Sequence, residues 1–224
     1  MLVLDKTIDT KQLDQTDPAW MLARLGHITA SCMDDVMAKG KTGEAVTRYK
    51  YKIKLLAERM TGVGQDSYNN AAMDWGKSQE QFAAQAYELR REILLDKTGF
   101  WRHPTIEWLG ASPDRLAGDV GLVEIKCPNT STHLTWMLSG SSTMPSEYVK
   151  QVQAQLWICE KEWCDFVSFD PRLPEKNQLH IIRVTRDEEL IKKMEAESIS
   201  FLLEVQDLIN QLNSWPSVPV AAGV

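Results

Sequence analysis

The sequence predicts a single α/β domain in which a central mixed β-sheet is flanked by helices. Apolar residues recur at helical spacing before and after a central block of short strand-like runs, between about residues 93 and 127. No internal repeat or long linker divides the chain of 224 residues, so residues 1–212 are assigned to one domain. Residues 213–224 hold two prolines and small side chains, which is typical of a loose C-terminal tail.

Composition narrows the possible functions. A net charge of −6 argues against indiscriminate nucleic-acid binding over the whole surface. Basic residues nevertheless dominate residues 39–54 and acidic residues dominate 187–224, so a polyanion is expected on one face only. The four cysteines form no C-x-x-C pair, which indicates neither zinc nor disulfides. No signal-peptide pattern and no run of membrane-spanning length is present, so we expect a cytoplasmic protein with no membrane partner.

The first helix is predicted from its boundary residues. Asp17 is a good N-cap with Pro18 at the first helical position, and Gly26 is expected to end this short helix. Ser31 followed by Asp34 matches a capping box, so a second helix is expected to begin near residues 29–31.

That helix start also predicts an anion pocket. Free backbone N–H groups, the hydroxyls of Thr29 and Ser31, and Arg24 one loop away suit a terminal phosphate. The alternative is ordinary capping, with Arg24 in a surface salt bridge.

Two long helices are predicted next. In the first, over residues 46–60, the apolar stripe is expected to include Val46, Ile53 and Met60, with most of the basic residues off it. Those bases either follow a phosphate backbone or form a solvated face. The second helix, residues 73–91, carries Phe82 and Leu89 on its predicted stripe, and Glu80 is a candidate ligand of a metal or of water.

The central residues carry the strongest chemical signal. Residues 121–127 read as a strand, in which Glu124 and Lys126 are two apart and therefore share a face. Asp114 ends the preceding strand-like run, and a short turn folds it back alongside. Two carboxylates and a lysine around one point suit Mg²⁺ and the activation of a water. The alternative is a solvated hairpin with an exposed Glu and Lys.

The C-terminal half is expected to complete the sheet and its covering helices. Residues 148–159 read as a helix from which Gln151 and Gln153 reach a cleft, and residues 163–169 and 179–184 read as strands. A long amphipathic helix is predicted over residues 187–212.

Taken together, these motifs resemble the phage lambda exonuclease family (YqaJ-type viral recombinases) of the PD-(D/E)XK nuclease superfamily. The matching stretches are Trp20…Arg24-Leu-Gly-His-Ile-Thr-Ala-Ser31, Trp75-Gly-Lys-Ser-Gln-Glu80, Ser112-Pro-Asp114, Glu124-Ile-Lys-Cys-Pro128 and Gln151-Val-Gln153. They occur in family-like order and spacing between about residues 17 and 185.

The resemblance implies a restriction-endonuclease-like core and assigns roles to individual residues. Asp114, Glu124 and the backbone carbonyl of Ile125 would hold Mg²⁺, with Mn²⁺ as a substitute, and Glu80 would complete the site directly or through a water. Lys126 would act on the water nucleophile. The implied binding residues for the 5′-phosphate and DNA are Arg24, Thr29, Ser31, Gln151, Trp20 and Gln153, and Met73 falls at the place of an apolar wedge that separates the strands.

The resemblance also implies an activity and partners. It is that of a 5′-to-3′ exonuclease on double-stranded DNA ends, working as a homotrimeric ring with a single-strand annealing protein in phage recombination. The host compartment would be the bacterial cytoplasm. Two other readings stay open: a sequence- or structure-specific endonuclease on the same core, and a non-catalytic scaffold that binds DNA ends.

Overall fold

A computed structural model describes residues 8–65, 71–140 and 142–216, and for residues 71–73 it describes the backbone only. Seven α-helices are present in the described chain: α1 Pro18–Arg24, α2 Met33–Val36, α3 Val46–Thr61, α4 Ala71–Arg91, α5 Thr130–Leu138, α6 Ser146–Ile158 and α7 Glu188–Asn213. Within that part of the chain, none of the helices is long and apolar enough to cross a membrane.

The same residues form ten strands, most of them short. Their bounds are β1 Ile28–Thr29, β2 Lys39–Gly40, β3 Gly43–Glu44, β4 Asp96–Lys97, β5 Trp101–Arg102, β6 Leu109–Ala111, β7 Arg115–Ala117, β8 Gly121–Lys126, β9 Trp163–Phe169 and β10 Leu179–Thr185. The predicted strands at residues 121–127, 163–169 and 179–184 are therefore confirmed to within a residue or two.

The main sheet has five strands in the order β10-β9-β8-β7-β4 and is mixed, as expected for the α/β class. Strands β8 and β9 pair in parallel, whereas β7 pairs antiparallel with β8 through a short hairpin. A parallel pair requires a crossover connection, and here α5 and α6 supply it. Strand β8 thus lies at the centre of the sheet, with its neighbours fixed on both sides.

A second, three-stranded sheet has the order β1-β6-β5, and β2 and β3 form a separate hairpin. Strand β6 leads directly into Ser112-Pro113-Asp114 and then β7. The two sheets are therefore joined at the residues that carry Asp114.

Helices cover both faces of the main sheet. On one face Ala83, Ala84 and Tyr87 of α4 pack in a cluster with Val123 and Ile125 of β8. On the other face, the cluster that contains Leu122 also contains residues of α6 and α7. Because side chains alternate along a strand, Glu124 lies on the α6 face, where it is only 2% exposed.

The predicted buried stripe of α3, which also included Leu56 and Ala57, is wrong in part, because among its members only Leu56 is buried. Val46 is 69% exposed and Met60 45% exposed, whereas Tyr51 and Leu55 are buried. The helix is confirmed in length, but its apolar residues occur on two faces. Packing against α7, which the local sequence does not encode, selects the face that is buried.

The predicted stripe of α4 is also wrong. Phe82 is 56% exposed and Leu89 84% exposed, while the small residues Ala83 and Ala84 face the sheet. The buried face of α4 is therefore the one that carries Ala83, Ala84 and Tyr87, rather than the one that carries Phe82 and Leu89.

The predicted helix caps are partly confirmed. The side chain of Asp17 accepts a hydrogen bond from the Ala19 N–H and that of Asp187 from the Leu190 N–H. The capping box at Ser31 is wrong, because Ser31 lies inside a 3₁₀ turn, Ala30–Cys32, that leads into α2. Helix α7 continues to Asn213. Within the predicted tail, residues 217–224 lie outside the described part of the chain.

Candidate active site and anion pocket

Asp114 is placed by the end of the β7–β8 ladder. The last pair of that ladder is Arg115 with Val123. Beyond it, the Asp114 carboxylate (Oδ2) accepts a hydrogen bond of 2.7 Å from the Ile125 N–H. The Asp114 side chain therefore accepts the hydrogen bond that a backbone carbonyl would accept if the ladder continued. This contact holds Asp114 beside β8, as the sequence predicts.

Glu124 and Lys126 form an ion pair on one face of β8. Lys126 Nζ lies 2.6 Å from Glu124 Oε1, and their side chains are 26% and 2% exposed respectively. Burial alone would lower the pKa of Lys126, but the carboxylates of Glu124 and Asp114 raise it above its ordinary value. The ammonium form is therefore stabilised, which suits a group that steers a nucleophile or balances developing charge. The alternative of a solvated hairpin is excluded for this strand.

Two glutamines of α6 complete the surroundings of Glu124. Gln151 donates to Glu124 Oε1, and Gln155 donates to Oε2 at 2.7 Å. Residues four apart share a helix face, so both amides meet the same carboxylate. Gln151 thus lies beside Glu124, and its predicted role in binding DNA stays a prediction. Gln155, one helical turn further on, was not singled out from the sequence.

Gln153 does not join this site. Residues two apart point in different directions on a helix. The Gln153 side chain donates to the Thr185 carbonyl at 2.8 Å and accepts from the Asp187 N–H at 2.8 Å. It lines a separate open groove of about 580 Å³ between α6, the end of β10 and the start of α7. Gln153 is therefore removed from the predicted DNA-binding residues.

Glu80 approaches the site from α4 with a cationic partner. Arg115 Nη1 lies 2.6 Å from Glu80 Oε1 and also donates to the Asp114 carbonyl at 2.6 Å. Arg115 was not singled out from the sequence. Arg115 therefore links Glu80 of α4 to the backbone of Asp114, and the ion pair holds the Glu80 carboxylate near Asp114.

The acidic residues fit a divalent cation. Burial raises the pKa of Asp114 well above its usual range, and the charge of Glu124 raises it further, because two buried negative charges repel each other. A hard cation bound by these carboxylates would remove that repulsion, and carboxylate and carbonyl oxygens are the ligands that Mg²⁺ prefers. Within the described ranges, no three or more His, Cys, Asp or Glu side chains are grouped to hold an ion. Glu80 as a ligand therefore stays a prediction.

The predicted anion pocket is a cavity of about 390 Å³ lined by residues of α1, α3 and the segment around β1. Polar residues and apolar residues both contribute to its walls, and the predicted residues Arg24, Thr29 and Ser31 all lie among them. The Thr29 and Ser31 hydroxyls are 3.2 Å apart. The structure thus brings together all three residues of the predicted pocket.

Trp20 connects this pocket to the carboxylates. The guanidinium carbon of Arg24 lies 4.2 Å from the centre of the Trp20 ring system, and the indole N–H donates to Ser112 Oγ at 3.1 Å. Trp20 is 9% exposed. Its observed contacts therefore position Arg24 relative to the Ser112-Pro113-Asp114 segment, a role the sequence did not predict.

Helix α3 shapes the loop that carries the pocket. The Tyr51 hydroxyl accepts from the Thr29 N–H at 3.2 Å and donates to the His27 carbonyl. Glu58 accepts from the Gly26 N–H at 2.9 Å, and Arg59 donates to the Gly26 carbonyl at 2.9 Å. Gly26 has φ +70°, which favours glycine. Tyr51 and Glu58 were not predicted as pocket residues.

Two of the basic residues of α3, for which both a DNA-facing and a solvated surface were open, are paired within the chain. Arg48 Nη2 lies 2.6 Å from Glu204 of α7, and Lys52 Nζ lies 2.5 Å from the same carboxylate and 2.7 Å from Glu44. Arg48 also pairs with Glu44. These two cations are therefore largely neutralised, and they fix the β2–β3 hairpin and α7 to α3.

The predicted strand-separating wedge is on α4. Met73 lies in the first turn of α4, and its side chain is outside the described part of the chain. The wedge at Met73 therefore stays a prediction.

Comparison with known proteins places this geometry in a family. Residues 19–162 match the family model described as a YqaJ-like viral recombinase domain. An alkaline exonuclease from Laribacter hongkongensis is 41% identical, with a TM-score of 0.81 over 88% of this chain and 96% of its own, and it has also been crystallised with dAMP. A phage-related exonuclease from Haemophilus somnus shares the fold at 15% identity, with a TM-score of 0.67 over 83% of this chain and 96% of its own.

An uncharacterized protein of Acanthamoeba polyphaga mimivirus is 27% identical over 176 residues, which are 73% of this chain. The chain spans only 30% of the length of that viral protein.

Proposed function

Because the chain belongs to the YqaJ-like viral recombinase family, we propose that it is a Mg²⁺-dependent exonuclease that degrades one strand of duplex DNA from 5′-phosphorylated ends. The observation that carries the proposal is the combination of two sites. The Asp114–Glu124–Lys126 cluster suits phosphodiester hydrolysis, and a separate anion pocket is linked to it through Trp20 and Ser112.

The reaction is attack of water on the phosphorus between the first two nucleotides, with cleavage of the bond to the departing 3′ oxygen. Mg²⁺, held by Asp114, Glu124 and the Ile125 carbonyl, would supply Lewis-acid activation of the phosphoryl group and water. The Lys126 ammonium steers the nucleophile and balances negative charge in the transition state. Gln151 fixes the carboxylate oxygen that the lysine shares.

The anion pocket gives the reaction its direction. Arg24, oriented by Trp20, and the hydroxyls of Thr29 and Ser31 hold the terminal 5′-phosphate and thereby decide which bond reaches the carboxylates. Each cut releases a 5′-mononucleotide and leaves a new 5′-phosphate on the shortened strand. The pocket can bind that new end again, so degradation proceeds from 5′ to 3′. The Laribacter hongkongensis exonuclease binds dAMP, which is such a mononucleotide.

The assembly and setting are part of the same proposal. A homotrimeric ring around the duplex would place basic side chains inside and the acidic surface of this chain, whose net charge is −6, outside. The 3′ single strand produced would pass to an annealing protein. The site of action is the cytoplasm of a bacterial host during phage or prophage recombination.

The decisive experiment compares linear duplexes bearing 5′-phosphate or 5′-hydroxyl ends with closed circular DNA, each with and without Mg²⁺. We expect rapid, Mg²⁺-dependent loss of the phosphorylated linear DNA, with release of 5′-mononucleotides. Cutting of closed circles would instead establish an endonuclease. Binding of ends without any cleavage would establish a scaffold, and either result would overturn the proposal.

A further inference from the structure

One face of α6 surrounds the ion pair of β8. Tyr148, Gln151 and Gln155 lie at helical spacing, and all three approach Glu124 or Lys126. Lys126 Nζ lies 5.0 Å from the centre of the Tyr148 ring, and each glutamine donates to one oxygen of Glu124. The carboxylate is thus held from α6 at both oxygens.

The two oxygens of Glu124 have different surroundings. Oε1 is shared by Lys126 and Gln151, which are both partly exposed toward the cleft. Oε2 meets only Gln155 among the described side chains, and this hydrogen bond of 2.7 Å is buried. Gln155 is 1% exposed, so water does not compete for the bond.

From this arrangement we propose that Gln155 is a positioning residue for the reaction. By holding Oε2 in the interior, it sets the rotation of the Glu124 carboxylate and directs Oε1 toward Lys126 and Gln151 at the cleft. This inference rests on the proposed function and deepens it, since it adds a determinant of the same site that no sequence motif indicated.

The carbonyl oxygen of the Gln155 side chain also indicates a functional role for this residue rather than a purely structural one. The Oε1 atom of Gln155 is buried and has no hydrogen-bond partner in the described part of the chain. A buried amide that uses only its N–H group is costly, because its oxygen has lost its hydrogen bonds to water. A residue serving only to stabilise the fold gains little there from a polar side chain, whereas a residue that must direct a carboxylate needs the N–H group.

Gln153 provides a matched control on the same helix. It is also buried, at 3% exposure, and it uses both ends of its amide to join Thr185 and Asp187. Its contacts therefore hold β10 and α7 in place and do not involve Glu124. Replacing each glutamine by methionine removes the hydrogen bonds while nearly conserving the volume.

The experiment measures kcat and KM for phosphorylated linear duplex, and the temperature of unfolding at increasing Ca²⁺, a probe that binds without requiring turnover. For Gln155→Met we expect kcat to fall about 10- to 100-fold and half-saturation by Ca²⁺ to need about 10-fold more cation, as for other residues that orient metal ligands. KM for DNA is expected to stay unchanged. Gln153→Met should lower the unfolding temperature and leave kcat and the Ca²⁺ response unchanged.

The possible results separate the positioning role of Gln155 from the exonuclease proposal. Wild-type kcat and Ca²⁺ response in folded Gln155→Met would overturn this inference while leaving the exonuclease proposal intact. An inactive wild-type protein would overturn the exonuclease proposal and this inference with it. If Gln155→Met does not fold, Gln155→Leu is measured instead, and a loss of stability without loss of kcat in that variant would also contradict the positioning role.

Discussion

The carboxylate cluster and the anion pocket are built in different ways. Asp114, Glu124 and Lys126 lie on or next to β8, the strand at the centre of the main sheet, whose position is fixed by neighbours on both sides. The anion pocket lies on a loop, a two-residue strand and a 3₁₀ turn, and side chains of α1 and α3 hold it in shape.

This difference in construction indicates that the two regions have different roles, chemistry in the carboxylate cluster and recognition in the pocket. Chemistry requires atoms placed to within about 0.5 Å, which rigid strands provide better than loops. Recognition of a flexible DNA end tolerates a softer site. We therefore expect mutations in the cluster to abolish turnover, and mutations in the pocket to change which ends are used.

The largest effect is expected for Lys126→Ala. Loss of the ammonium beside Glu124 should lower single-turnover cleavage about 10²- to 10⁴-fold, the range typical of a catalytic proton-transfer or charge-balancing group. DNA binding in Ca²⁺ should persist, because the anion pocket is untouched. An exposed lysine of α7, Lys192, serves as the control for charge, and Lys192→Ala should cleave normally. Weakened binding equal to the loss of cleavage would identify Lys126 as a phosphate contact.

A smaller effect, confined to the choice of end, is expected for Arg24→Ala. Removing a charge-assisted contact worth about 1.5–3 kcal/mol should reduce the preference for 5′-phosphate over 5′-hydroxyl ends roughly 10- to 100-fold. The ratio of initial rates on the two substrates measures this directly. An unchanged ratio would remove the pocket from the proposal, and would leave the cluster as the sole functional region.

Tyr51→Phe tests whether the pocket depends on its supporting helix. The variant loses the acceptor of the Thr29 N–H, a net contribution of about 0.5–1.5 kcal/mol, so the preference should fall a few-fold. Tyr49→Phe is the matched control, because Tyr49 is 53% exposed on the same helix. Equal behaviour of the two variants would show that the hydroxyl of Tyr51 does not shape the pocket.

The smallest effect is on stability and concerns neither site directly. A hydrogen bond from Arg48, together with Lys52, lowers the pKa of Glu204 from 4.5 to about 2. Since the folded pKa is below the unfolded one, this stabilisation is complete above about pH 5 and is lost as pH falls toward 2. At pH 7, Glu204→Gln should lower the free energy of unfolding by about 1–2 kcal/mol, after allowance for partial exposure.

Chemical denaturation at several pH values measures that effect. The difference between wild type and Glu204→Gln should shrink in acid, whereas Asp207→Asn, on an exposed position of the same helix, should match wild type throughout. A difference that does not depend on pH would show that the charge of Glu204 does not contribute to stability.

Several features were predictable from local sequence because covalent geometry dictates them. Alternation along a strand puts Glu124 and Lys126 on one face, and Asp17 and Asp187 are favourable N-caps. The family motifs then indicated Arg24, Thr29 and Ser31 as one pocket, and the structure brings them together. These inferences needed only residues close in sequence, or a pattern of motifs.

The features that local sequence left open or misplaced share a different cause. Arg48 and Lys52 belong to a basic run whose role the sequence left open, and Glu204, about 150 residues away, neutralises both. Gln153 looks equivalent to Gln151 until packing turns it toward β10 and α7. The buried faces of α3 and α4 depended on which neighbour each helix meets.

Local sequence thus specified the strand that carries Glu124 and Lys126, the N-caps at Asp17 and Asp187, and the residue types that line the two candidate sites. Tertiary structure alone decided which basic side chains of α3 are paired within the chain and which glutamines contact Glu124. It also decided how Trp20 links the pocket to the segment that carries Asp114. The physical reason is distance along the chain. Dihedral preferences and side-chain periodicity act over a few residues, whereas ion pairs and buried hydrogen bonds form between segments that only the packed core brings together.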